Sequence, residues 1–219
     1  MSKQFIVILA VFFAVFAGIL FMQRSDESEP ANSASAQPTS HYYGLNPEEA
    51  EDPDSVVTLT EYGDFQCPAC ASYYPLVKQI AEKYKNDIAF EFKNFPIVSN
   101  HPNAMAAHRA AEAAGLQGKF WEMHDMLYQQ QQSWSNAGNP AGTFRSYAES
   151  LELDMERYDT DVSSREVNAA IQEDMQQGED LNVQGTPGFV LDGQLIENPR
   201  SIEDFERIIE DAIAEKTTG

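Results

Sequence analysis

Cys67 and Cys70 are the only two thiols in a chain of 219 residues. They close the run Glu61-Tyr62-Gly63-Asp64-Phe65-Gln66-Cys67-Pro68-Ala69-Cys70. A pair with this spacing suits a structural disulfide, part of a metal site, or a redox centre that makes and breaks a disulfide. So short a loop removes little entropy from the unfolded chain and is a poor staple. Zinc needs further ligands. The histidines His41, His101, His108 and His124 lack the usual ligand spacing, although His101 and His108 could share a helix face. They read as packing, capping or solvent-facing groups, and no metal is expected. A redox centre needs one nucleophilic sulfur and a second within reach. On the first turn of a helix, positions i and i+3 are neighbours. A sulfur at the helix start also faces unpaired amides and the positive end of the dipole, which favour a thiolate. Cys67 is then the exposed, attacking sulfur and Cys70 the buried, resolving one, with exchange through a mixed disulfide. Glu61 is the candidate proton donor and acceptor for Cys70. Val57 and Leu59 share its strand face, which implies burial and a raised pKa; a solvated acid at the strand end is the plainer alternative.

A strand, a turn and a helix must hold these groups. Val56 to Tyr62 reads as the strand. Cys70, Tyr73, Tyr74, Val77, Ile80, Ala81 and Tyr84 have helix spacing; Pro68 suits the first turn and Pro75 should kink the helix. Ile88, Phe90 and Phe92 mark a second strand ending near Pro96. From Pro102 to Gly178 the pattern is almost wholly helical. Pro102 and Gly115 bound one helix; Phe120, Met123 and Leu127 mark a second; Asn136 to Gly142 is a loop; Phe144, Tyr147, Ala148 and Leu151 mark a third. Ser163 and Glu166 read as a capping box before Val167 and Ile171. Phe189-Val190-Leu191 and Gln194-Leu195-Ile196, joined by Asp192-Gly193, read as a hairpin. A last helix runs from Ser201, with Phe205, Ile208, Ile209 and Ala212 on one face.

The apolar run from Phe5 to Met22, flanked by Lys3 and Arg24, reads as a signal anchor over residues 1–24. A cleaved signal peptide, leaving a secreted or periplasmic protein, is the alternative. Lys3 and the acids after Arg24 put the amino terminus inside and the rest of the chain outside. Ser25 to Ser40 is rich in Ser, Ala, Pro and acid, and a flexible tether is assigned to 25–52. A net charge of −21 argues against nucleic acid and against charge-driven binding to anionic membranes.

In order and motifs the chain resembles the thioredoxin fold carrying a helical insertion, as in the DsbA-like thiol–disulfide oxidoreductases. The resemblance covers Val56 to Glu215. It rests on Cys67-Pro68-Ala69-Cys70; on Pro75, where thioredoxins have a helix-kinking proline; on Gly185-Thr186-Pro187, similar to the family's cis-proline loop; and on Glu61, where the family keeps a buried acid. The run from His41 to Cys70 is also similar to the entry segment of membrane-tethered bacterial members. The implied fold class is α/β, with an N-terminal βαβ unit over 53–98, a helical insertion over 99–180 and a C-terminal ββα unit over 181–219.

The resemblance implies an extracytoplasmic dithiol oxidase that introduces disulfides into exported proteins bearing free thiols. It would work as a membrane-anchored monomer, without organic cofactor or metal, reoxidised by a quinone-linked membrane protein. A cis Pro187 would hold a tight turn against the sulfurs and leave Thr186 backbone groups to pair with an extended client, which Pro68 and Ala69 would also border. By base rate alone a trans turn is expected there. Strongly oxidising members carry His where Ala69 stands, and no Lys or Arg lies between Arg24 and Lys78. Cys67 is therefore expected below a free thiol but above the most acidic relatives, at a pKa of about 5 to 7. The potential should fall between roughly −270 mV for a reductant and about −120 mV for a strong oxidant. A reductase or isomerase of the same fold is one alternative. A tethered client-holding module is another, with Trp121, Tyr128 and Trp134 as its candidate surface, although aromatics at helix spacing are more often core.

Overall fold

The computed structural model describes residues 41–218. The run from Phe5 to Met22 and the segment from Ser25 to Ser40 lie outside the described residues. Among the described residues, no helix is long and apolar enough to cross a membrane.

Strands β1 (His41–Gly44), β2 (Val57–Gly63), β3 (Ile88–Asn94), β4 (Gly188–Leu191) and β5 (Gln194–Leu195) form one sheet in the order β1-β3-β2-β4-β5. β2 and β3 are parallel, joined by the crossover helix α1 (Pro68–Tyr84); the other neighbours are antiparallel. β2 is therefore central, and all of its side chains except that of Thr58 are buried. One face of the sheet presents Val57, Leu59, Ile88, Phe90 and Phe189. Val77, Ile80 and Ala81 of α1 pack on it, with Phe205 and Ile209 of the last helix, α8 (Ile202–Thr218). The hairpin is built as its sequence requires: Asp192 and Gly193 take φ of 46° and 77°, the left-handed pair of a tight turn whose twist matches the strands.

Between β3 and β4 lie α2 (Ala104–Gly115), α3 (Phe120–Gln129), α4 (Gln131–Trp134), α5 (Ala141–Ser150), α6 (Met155–Asp161) and α7 (Arg165–Asp180). Alanines 104, 107, 110, 111, 113 and 114 of α2 are buried. Methyl side chains let neighbouring helices pack at short interaxial distance. α7 covers the opposite face of the sheet so closely that a Cβ on Gly178 would lie 2.7 Å from the Phe95 ring and 2.9 Å from that of Tyr62.

Several expectations change. The tether assigned to 25–52 ends sooner, because residues 41–44 form β1, antiparallel to β3. His41 secures that strand: its ring stacks on Phe120 at 3.4 Å, and its Nε2 lies 2.9 Å from Glu112 Oε1. Gly44 ends it at φ 87°, where an added Cβ would meet the Lys85 carbonyl oxygen at 2.5 Å. The cap of α7 is Ser164, not Ser163. Ser164 has the extended φ and ψ a cap needs, and its Oγ accepts from Val167 N, whereas the Ser163 hydroxyl turns back to Thr160 O. α1 runs from Pro68 to Tyr84 with Pro75 inside it, the extent expected. The aromatic residues named as the alternative client surface belong to the core, the reading their helix spacing favoured. Trp134 is fully buried and meets Phe144 edge to face, Tyr128 is buried, and half-buried Trp121 donates to Tyr42 O at 3.0 Å.

Candidate active site at the start of the first helix

The turn from Asp64 to Cys67 carries the chain from β2 into α1. Buried Asp64 organises it. One carboxylate oxygen accepts from Gln66 N at 2.7 Å; the other accepts from Ile97 N at 2.8 Å and pairs with His101 Nδ1 at 2.7 Å. Gln66 bonds both ways to the helical block, donating to Ser135 O and accepting from Asn103 N. Gln131 donates to the carbonyls of Phe65 and Cys67 at 2.8 and 2.9 Å. The helical insertion thus fixes the loop that delivers the first sulfur.

Cys67 is the N-cap of α1, with φ −69° and ψ 123°, and Pro68 is the first helical residue. Proline costs nothing there, because the amide it lacks would have no helical partner. Both cysteines are free thiols. Cys70 is fully buried, as expected, whereas Cys67 keeps only 7% of its surface and is not the exposed sulfur anticipated. The helical block and the loop before β4 wall it in; exposed Pro68 and Ala69 mark its open side. The Thr186–Pro187 bond is cis, and Cys67 Sγ donates to Thr186 O at 3.4 Å. Asn198 steadies the loop by donating to Pro187 O at 2.7 Å. Thr186 O is thus engaged by the sulfur rather than free.

The two sulfurs differ sharply in acidity. The Cys67 pKa is lowered to about 5, first by the hydrogen bond from the Cys70 thiol, and against the cost of burial; the Thr186 side chain and the amides of Cys70 and Ala69 lower it further. The helix start contributes as expected, but the neighbouring thiol contributes more. Burial, and its bond to Cys67, raise the Cys70 thiol well above the ordinary value. Glu61 lies behind the pair, 2% exposed, flanked in the sheet by Phe92 and Phe189. Burial raises its pKa to about 8, with the Cys67 charge adding to the shift. Its proton, expected to be mobile, is thus held near neutral pH. Around Phe65 the core gathers more buried polar groups, His108, His124 and Tyr128, with ring centroids 4.7, 5.5 and 5.1 Å from that of Phe65. The sequence weighs the two histidines as ligands or packing groups and Tyr128 as surface or core, and does not connect them with the sulfurs. Among the described residues, no group of three or more His, Cys, Asp or Glu side chains could hold a metal ion.

Residues 39–211 match the family described as Thioredoxin. The chain belongs to the thioredoxin family. The Na(+)/H(+) antiporter NhaA 1 of Salinispora arenicola is 36% identical over 161 residues, which are 74% of this chain and 24% of that protein. The chain thus spans about a quarter of the length of that relative. The probable disulfide bond formation protein D of Bacillus anthracis is 25% identical over 186 residues, 83% of this chain and 82% of that protein. Among solved structures, oxidised BdbD from Bacillus subtilis has a TM-score of 0.65 at 21% identity, covering 83% of this chain and 95% of its own. The alpha-DsbA1 protein of Wolbachia pipientis has a TM-score of 0.67 at 16% identity, covering 83% and 94%. Within the thioredoxin superfamily the fold is DsbA-like.

Proposed function

We propose that this thioredoxin-family chain is a thiol–disulfide oxidoreductase that acts as a dithiol oxidase on exported proteins. One observation carries the reading: the outer sulfur is acidic while its neighbour three residues on is held as a thiol. A client thiolate attacks Cys67 Sγ in the oxidised pair. The Cys67–Cys70 bond breaks, and Cys70 leaves with the electron pair and takes a proton, for which Glu61 is the nearest buried acid. A second client thiolate attacks the client sulfur of the mixed disulfide, and Cys67 leaves as a thiolate. The client gains a disulfide and the pair ends as a dithiol. A stabilised Cys67 thiolate makes that last departure favourable.

Pro68, Ala69, Thr186 and Pro187 border the sulfur and form the client-binding surface. Return of the pair to the disulfide falls to a quinone-linked membrane protein, which takes the two electrons. The run from Phe5 to Met22 supports a single-pass anchor with the catalytic domain outside. The chain acts as a monomer.

The test is transfer of the disulfide to a reduced peptide with two cysteines. Wild type should oxidise one peptide per protein. Cys67→Ala should be inactive, and Cys70→Ala, given the disulfide-linked dimer of a one-cysteine peptide, should accumulate a Cys67 mixed disulfide as the other peptide leaves as a thiolate. Undiminished peptide oxidation by Cys67→Ala would end the reading.

A further inference from the structure

We propose that His124 is the proton relay of the exchange reaction, passing protons between Glu61 and bulk water through a hydrated cavity that both residues line. The inference rests on the oxidoreductase reading and adds a route for the proton that the reaction must move. The cavity has a volume of about 60 Å³. Glu61 and His124 form part of its wall, with Tyr74, Val77, Lys78 and Ala81 of α1. Those four stand four, seven, eight and eleven residues beyond Cys70, so one helix face leads from the resolving cysteine to the exposed Lys78.

Two observations point to water in it. One water needs only about 10–15 Å³ on this measure, given polar partners. Glu61 Oε1 and His124 Nε2 are buried and have no hydrogen-bond partner among the described residues. Buried polar atoms of native proteins are satisfied by protein or by ordered water in nearly all cases. The other ring nitrogen, Nδ1, lies 3.2 Å from Asp125 Oδ1, which holds the proton on Nδ1 and leaves the Nε2 lone pair as the acceptor. Asp125 in turn pairs with Lys78, and that pair lies at the surface. Asp125 and Lys78 face His124 from the mouth, and His41, His108 and Tyr128 from within; Cys67, Cys70 and Tyr128 face Glu61. Burial keeps the imidazole neutral, so it takes up a proton only in passing.

The steps balance over a cycle. On reoxidation Glu61 releases its proton to cavity water, and water protonates His124 Nε2. Nδ1 gives its proton to Asp125 and bulk, and Glu61 then takes the proton of Cys70 as that sulfur forms the disulfide. When a client breaks the disulfide, the Cys70 thiolate takes the Glu61 proton. The Nε2 proton returns inward through water while Nδ1 regains one from outside. One proton leaves and one enters, and the starting tautomer is restored.

The test compares wild type with His124→Gln and with Ala81→Val, which fills the cavity without altering a titratable group. Single-turnover exchange with a reduced two-cysteine peptide is followed in light and heavy water. The Cys67 titration midpoint and the equilibrium potential are measured beside it. A relay changes rates and leaves equilibria alone. Both variants should slow on the order of tenfold or more, with a larger solvent isotope effect and an unchanged midpoint and potential. Unchanged rates, or slowing that accompanies a shifted midpoint or potential, would overturn the relay. Should His124→Gln fail to fold, Asp125→Asn at the mouth replaces it, with the same expectation. Wild type that exchanges no disulfide would remove the oxidoreductase reading and the relay with it.

Discussion

At the scale of single residues, the acidity of Cys67 depends on a donor three positions away. Cys70 contributes the largest lowering of its pKa, through a side-chain hydrogen bond. Cys70→Ala should therefore raise the Cys67 pKa clearly above its value of about 5, and Cys70→Ser, which retains a donor, should raise it less. Thiolate absorbance against pH reads both; equal midpoints in the two variants would rule out the donor. Glu61 offers a second prediction. Its folded pKa is raised to about 8 from 4.5, so the folded state holds a proton that the unfolded chain releases. Its stability contribution is complete below pH 4.5 and is lost as pH rises through about 8. Oxidised Glu61→Gln should match oxidised wild type near pH 4.5. At pH 8 it should exceed wild type by on the order of a few kcal/mol in urea unfolding. A difference that does not grow with pH would place the Glu61 charge in water. The two cysteines and Glu61 are legible as a centre because their spacing is local. His124 and Tyr128 are not, because their relation to the sulfurs is made by the fold: they ride on α3, brought against Phe65 from more than fifty residues away.

At the scale of elements, the long amphipathic helices and the Asp192-Gly193 hairpin could be read from periodicity and turn chemistry, whereas β1 could not. Four residues give too little alternation to mark a strand, and what stabilises β1 is remote: pairing with β3 and the His41–Glu112 contact. The cap of α7 shows the same limit in miniature. Ser163 and Ser164 both precede the apolar run, and only the backbone turn after α6 decides which hydroxyl meets a free amide. Ser164→Ala should cost about 1 kcal/mol of stability. Ser163→Ala should stay within about 0.5 kcal/mol. Denaturant midpoints would distinguish them, and the reverse order would contradict the assignment. The cis bond at Pro187 was beyond composition and was implied only by the family resemblance.

At the scale of the whole molecule, thiolate stabilisation becomes a difference in stability between redox forms. In the reduced protein the Cys67 pKa is lowered from 9.0 to about 5. Its contribution is fully present above the unfolded value and is lost as pH falls through about 5. The oxidised protein has no such group. Between about pH 5 and 9 the reduced form should gain stability over the oxidised form as pH rises, by on the order of a few kcal/mol. Parallel curves for the two forms would mean that Cys67 titrates alike folded and unfolded. Linkage then supports the proposed oxidase direction, since whatever stabilises the dithiol favours giving the disulfide away. Equilibration of the Cys67–Cys70 pair against glutathione measures this directly. A Cys67 pKa of about 5 lies between thioredoxin and DsbA, and predicts a potential between roughly −270 mV and about −120 mV. A value at or below about −270 mV, the thioredoxin figure, would contradict the account.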